Sequence, residues 1–152
     1  MAIAGLTTFL WFDTEALDAA TFYTHLFPDS ALGEITHYPS DHPHRPEGSV
    51  LSIAFTLFGQ PFAAINGGPQ FPHTEAVSFM VQCDTQDELD RVWDALVSDG
   101  GQESRCGWCK DRFGISWQVV PSDLQDLLSR GAWPALMPMT RIDIEALRAS
   151  VA

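Results

Sequence analysis

Two stretches of the chain, about seventy residues apart, follow one order: an apolar strand, an amphipathic helix, then a run of short strands. In the first, Thr7 to Phe12 is a short aromatic run of strand type. Asp13 and Thr14 offer N-cap oxygens for a helix over Glu15 to Phe27. Its apolar stripe is Leu17, Ala20, Tyr23, Leu26 and Phe27, and Pro28 stops it. Ala31 to Tyr38 reads as a strand, and PSDHPHRPEG (39–48) as a loop. Val50 to Phe58 alternates as a strand, with Gly59-Gln60 as a two-residue hairpin turn into Pro61 to Asn66. In the second, Ala76 to Cys83 is the strand. Thr85 and Glu88 form a capping box for a helix with Leu89, Val92, Trp93 and Leu96 on one face, and short strands follow. The halves share a pattern, with no obvious residue identity.

The second half ends in Cys106 to Pro121, CGWCKDRFGISWQVVP. It reads as strand, tight turn around Asp111-Arg112-Phe113-Gly114, and strand Ile115 to Val120. Lys110, Asp111 and Arg112 belong in water; Ile115, Trp117, Val119 and Val120 must be covered. By the period of two, Gln118 lies opposite Trp117 and Val119. A glutamine there needs hydrogen-bond partners, in a cavity or between strands. After Pro121, Ser122-x-x-Gln125 signals a helix to Ser129. The apolar, twice-proline segment Ala132 to Met139 is expected to lie extended across a surface, and Ile142 to Ala149 to close with a helix.

At 152 residues this is one α+β domain, 1–152. The net charge of -12 and singly scattered basic residues speak against nucleic acid and anionic membranes. The acidic balance favours a cationic ligand or serves solubility. There is no basic leader region and no apolar run of about 20 residues, so neither a signal peptide nor a membrane span is expected. Three cysteines, an odd count, suit a reducing, cytoplasmic location.

The segments FLWFD (9–13), FYTHLFPDS (22–30), NGGP (66–69), TEAVSFMVQCDTQDELD (74–90) and CGWCKDRFGISWQVVP together resemble the vicinal oxygen chelate superfamily of glyoxalases, bleomycin-resistance proteins and extradiol dioxygenases. More closely, they resemble its PhnB-like branch, labelled 3-demethylubiquinone-9 3-methyltransferase. The resemblance implies two βαβββ modules, 6–69 and 74–121, with a helical tail, 122–152. It implies a curled, cup-like mixed sheet and a homodimer. Metal-dependent members hold an ion at positions that fall here near Thr8, Asn66 or Ala64, Ala76 or Val77, and Gln118. Of these only Gln118 resembles a ligand, so neither a metal nor another cofactor is expected. The chain also lacks the glycine-rich strand-to-helix loop and following acidic residue of a nucleotide-type methyltransferase.

The expected function is a small-molecule cavity with Thr8, Asn66, Ser78, Trp108 and Gln118 as candidate substrate-binding residues. The protein would act on a small organic substrate or sequester a ligand without catalysis, as bleomycin-resistance relatives do. An interaction module with a filled cup is the third reading. Cys106-x-x-Cys109 reads as structural, because zinc wants four ligands and a redox pair opens a helix. His42, His44 and His73 read as loop residues, and no nucleophile elbow marks a triad.

Overall fold

The computed structural model describes residues 1–152, which form two compact units, 1–72 and 73–152. In the first, β1 (Thr8–Phe12) leads through α1 (Ala16–Leu26) to β2 (Ala31–His37), β3 (Val50–Leu57) and β4 (Gln60–Asn66). In the second, β5 (Ser78–Cys83) leads through α2 (Gln86–Val97) to β6 (Gln102–Glu103), β7 (Trp108–Lys110) and β8 (Ser116–Pro121). Each unit holds an open four-stranded mixed sheet: β1-β4-β3-β2, here sheet A, and β5-β8-β7-β6, here sheet B. In both, the first strand pairs parallel with the last and the other pairings are antiparallel. The repeated βαβββ order is thus one topology used twice.

Alternation decides which face each helix covers. In sheet A, Leu10, Phe12, Ile53, Phe55, Leu57, Phe62 and Ala64 are buried and lie on one face. Small residues of α1, Ala16, Ala19 and Ala20, are fully buried with Tyr23, which lets the helix approach closely. In sheet B, Val81, Cys83, Cys109, Trp117 and Val119 are the buried row, with Leu89, Val92, Trp93 and Leu96 of α2 also buried. The Trp93 indole N–H donates to Glu103 at 2.9 Å, fixing that row as the α2 side. Thr85 caps α2, its hydroxyl accepting from the Glu88 amide at 3.2 Å. The Glu88 carboxylate completes no capping box; it accepts from Arg91 at 2.9 Å.

Three local features differ from the sequence expectations. The β3–β4 hairpin turns on Phe58-Gly59, one residue earlier than expected, with φ of 52° and 71°. Positive φ at both central residues marks a type I′ turn, which matches strand twist. Asp111 is buried, at 3% exposure. Its Oδ1 accepts from the amides of Phe113 (2.8 Å) and Ile115 (3.1 Å), and its Oδ2 from the Trp117 indole (2.8 Å). The turn folds the carboxylate back over β8, so it organises the hairpin from inside. The tail does not lie extended: α3 (Leu124–Ser129), α4 (Trp133–Leu136) and α5 (Ile144–Ala149) pack on the second unit. Pro134 sits in the first turn of α4, where its missing N–H costs nothing. Leu136, Ile142, Ile144 and Leu147 are buried. The amides of Cys106 and Gly107 donate to Met139 and Thr140 carbonyls at 2.8 and 2.9 Å. Gln86 bridges the Ile142 carbonyl (3.0 Å) and the Ile144 amide (2.9 Å). No helix is long and apolar enough to cross a membrane.

Candidate functional site

On sheet B, the face turned away from α2 carries the polar residues. Across it run two registered rows. One is Ser78, Ser116, Lys110 and Gln102. The other is Met80, Gln118 and Trp108. Gln118 is partly exposed, and its Nε2 donates to the Ser78 hydroxyl at 2.9 Å. That leaves its carbonyl oxygen as an unused acceptor. The half-buried Trp108 ring stands beside it on β7. Ser78, Trp108 and Gln118, three of the five residues singled out from sequence, therefore share one patch of one sheet.

Thr8 and Asn66 are placed differently. They lie on sheet A in the row of Leu10 and Phe12, the side covered by α1. Asn66 is buried with both ends of its amide engaged. Its Oδ1 accepts from the Ala16 amide at 2.8 Å, and its Nδ2 donates to the Val50 carbonyl at 3.1 Å. It satisfies a first-turn donor of α1 that Asp13 and Thr14 were expected to cap, so it clamps β4 to α1 and β3. Beyond it, Gly67 is required by packing: a Cβ there would come 2.1 Å from the Trp11 ring.

The electrostatics of the sheet B face centre on Lys110, the chain's one lysine. Its Nζ lies 2.6 Å from Glu75, just before β5. That hydrogen bond, aided by a backbone amide and the ammonium charge, holds the Glu75 carboxyl below its ordinary value. Two of the three cysteines, Cys83 and Cys109, are inert by contrast. All three are free. Burial pushes the Cys83 thiol up to about 11 and the Cys109 thiol up to about 12. Cys109 faces α2 from mid-strand, while Cys106 sits in a positive-φ turn, so the pair does not open a helix.

Residues 4–120 match the family model described as 3-demethylubiquinone-9 3-methyltransferase. A PhnB protein from Bacillus cereus that carries the same description is 35% identical. The match covers 77% of this chain and 99% of that one, with a TM-score of 0.69. This chain is a PhnB-like member of the vicinal oxygen chelate superfamily. Two more distant solved structures share the fold. Protein PA1353 from Pseudomonas aeruginosa is 19% identical, covering 78% of this chain and 97% of that one, with a TM-score of 0.61. The fosfomycin resistance protein FosX from Listeria monocytogenes, complexed with Mn(II) and 1S,2S-dihydroxypropylphosphonic acid, is 15% identical. That match covers 83% of this chain and 98% of FosX, with a TM-score of 0.53. Comparison with the curated proteins finds no match.

FosX carries Mn(II), but the donor set of this PhnB-like chain does not fit a divalent ion. No three His, Cys, Asp or Glu side chains converge. Of the two amides at the expected ligand positions, Gln118 is bonded to a serine hydroxyl and Asn66 is engaged at both ends. Neutral amide and hydroxyl oxygens hold such ions poorly without carboxylate or imidazole partners.

Proposed function

We propose that this PhnB-like protein binds a small organic molecule on the open face of sheet B, between Gln118, Ser78 and Trp108. The observation that supports it most is the Gln118–Ser78 hydrogen bond on a sheet face away from the helix, beside an indole. A few directed polar groups on an apolar wall are what a small-molecule site needs. A larger cavity, about 940 Å³, lies between the start of α2 and α5. Its arginines are already paired, Arg141 with Asp90 and Asp94, and Arg148 with Asp123. One wall is the start of α2, and the other is the tail, beyond the residues that match the family. We read that groove as tail docking.

Binding without turnover is the favoured reading, because this face offers recognition chemistry in the form of amide, hydroxyl, indole and one ion pair. Action on a small organic substrate is the other reading, and the family description favours it. Methyl transfer with a nucleotide-type donor fits these residues poorly. The turns into α1 and α2, Asp13-Thr14-Glu15 and Asp84-Thr85, are acidic and lack glycine. The free thiols go with a cytoplasmic location. We also read the protein as a homodimer, joined through Trp133 and Met137, which stand four residues apart on the surface at 53% and 54% exposure.

The Gln118→Leu variant tests the binding reading. Its stability should stay within about 1 kcal/mol of the parent, since a half-exposed amide is replaced by an apolar side chain of similar size. Ligands found in a small-fragment screen should lose at least about tenfold in affinity, the worth of one well-made polar contact. Unchanged affinity, or a collapse in stability, would reject it.

A further inference from the structure

Sheet B also holds a small polar cavity of about 130 Å³, the room of about four waters, which Trp108 of the Gln118 row helps to line. Trp108, Cys109, Lys110 and Ser116 line it with two acidic residues, Glu75 and Glu103, the second of which has its carboxylate held by the Trp93 indole. Ser116 is 2% exposed, and its Oγ is buried without a hydrogen-bond partner. A buried hydroxyl left unpaired is unfavourable, so such a group marks a place where something else completes the bonding. The neighbouring strand sets Lys110 directly beside it. The ammonium is already matched by an anion, but by a loosely held one: the Glu75 side chain is 66% exposed and reaches Lys110 from outside the sheet. An exposed ion pair of this kind is weak and readily exchanged.

We propose that Lys110 and Ser116 form a subsite for one small oxyanion, a carboxylate or phosphate group on the ligand, and that the Glu75 carboxylate holds Lys110 until that anion displaces it. This rests on the sheet B face being the binding surface and names the charge of what binds there. It runs against the acidic balance of the chain, which by itself favours a cation. The attraction is local: one lysine beside an unpaired hydroxyl, in a cavity that admits a few heavy atoms. Glu75 therefore serves as an internal stand-in for the ligand's anionic group. Its negative charge also excludes anions too weak to replace it.

Titration of the full chain with inorganic phosphate and, separately, acetate tests this, followed by the amide resonances of Lys110 and Ser116. Saturable shifts at both residues are expected. A tighter response to phosphate assigns a phosphate group, and a tighter response to acetate assigns a carboxylate. Glu75→Gln should bind about threefold to fivefold more tightly, the range left by removing one exposed ion-pair partner. Lys110→Met should lose saturable binding. Glu75 is at the surface, so Glu75→Gln should fold even if Lys110→Met does not. No gain in Glu75→Gln, or undiminished binding in Lys110→Met, overturns the proposal. If neutral fragments still bind at Gln118 and Trp108 while neither anion binds, the subsite falls and the binding face stands. If neither class binds, both fall.

Discussion

Replacing Asp111 by asparagine probes how the β7–β8 hairpin is held, and the structure sets the size of the effect. The carboxylate is buried and accepts from two backbone amides and the Trp117 indole. Asparagine can keep Oδ1 on the two amides. It must then turn its NH2 group toward the Trp117 indole N–H, which leaves two donors facing each other. The loss is one charge-assisted bond, about 1.5–3 kcal/mol, plus a buried unsatisfied donor, about 1–3 kcal/mol, partly overlapping. A net cost of about 3 kcal/mol is expected, or a fall in melting temperature of about 6–12 °C for a chain of this length. Urea denaturation followed by circular dichroism measures it, and Trp117→Phe supplies the control. With the indole donor gone, Asp111→Asn should cost only about 1 kcal/mol, giving a coupling of about 2 kcal/mol. Additive losses, or a cost below about 1 kcal/mol in the parent, would refute the reasoning.

Thiol labelling at pH 8 should modify Cys106 in the native protein and all three cysteines after unfolding, because Cys83 and Cys109 are buried and stay protonated. The same burial makes stability pH-dependent. In the unfolded chain these thiols ionise near about 8.5, so their contribution is complete below that pH. It is lost as pH rises toward the folded values of about 11 and about 12, and the denaturation midpoint should fall across that window. Light scattering of the full chain should report a dimer, and the double variant Trp133→Ser, Met137→Ser, which changes exposed side chains only, should shift it toward monomer.

The doubled topology was legible because its signals are local. Alternating burial on β3 and the stripe of α2 follow from side-chain direction alone. The face of Gln118 came from the same rule, whereas its sharing of that face with Ser78 and Trp108 is set by strand register. What escaped depends on residues far apart in sequence or on turn geometry. Asn66 looks like a ligand anchor at a strand end, yet the helix donor it serves is 50 positions away. Asp111 looks solvated beside Lys110 and Arg112, but the turn brings the Trp117 indole to it across six positions. Pro134 suggested an extended tail, although proline is equally at home in the first helical turn. The Lys110–Glu75 pair could not be found from spacing, since it joins the start of one strand to the end of another.

The central claim is that ligands meet the open face of sheet B at Gln118 and Trp108. Protein-observed NMR with a library of small neutral fragments tests it most directly, through the Gln118 side-chain amide and the Trp108 indole N–H. Binding fragments should shift both signals together with Ser78. Fragments that instead shift Gln86, Arg141 and Ile144, leaving Gln118 and Trp108 unmoved, would place the site in the tail groove and contradict it.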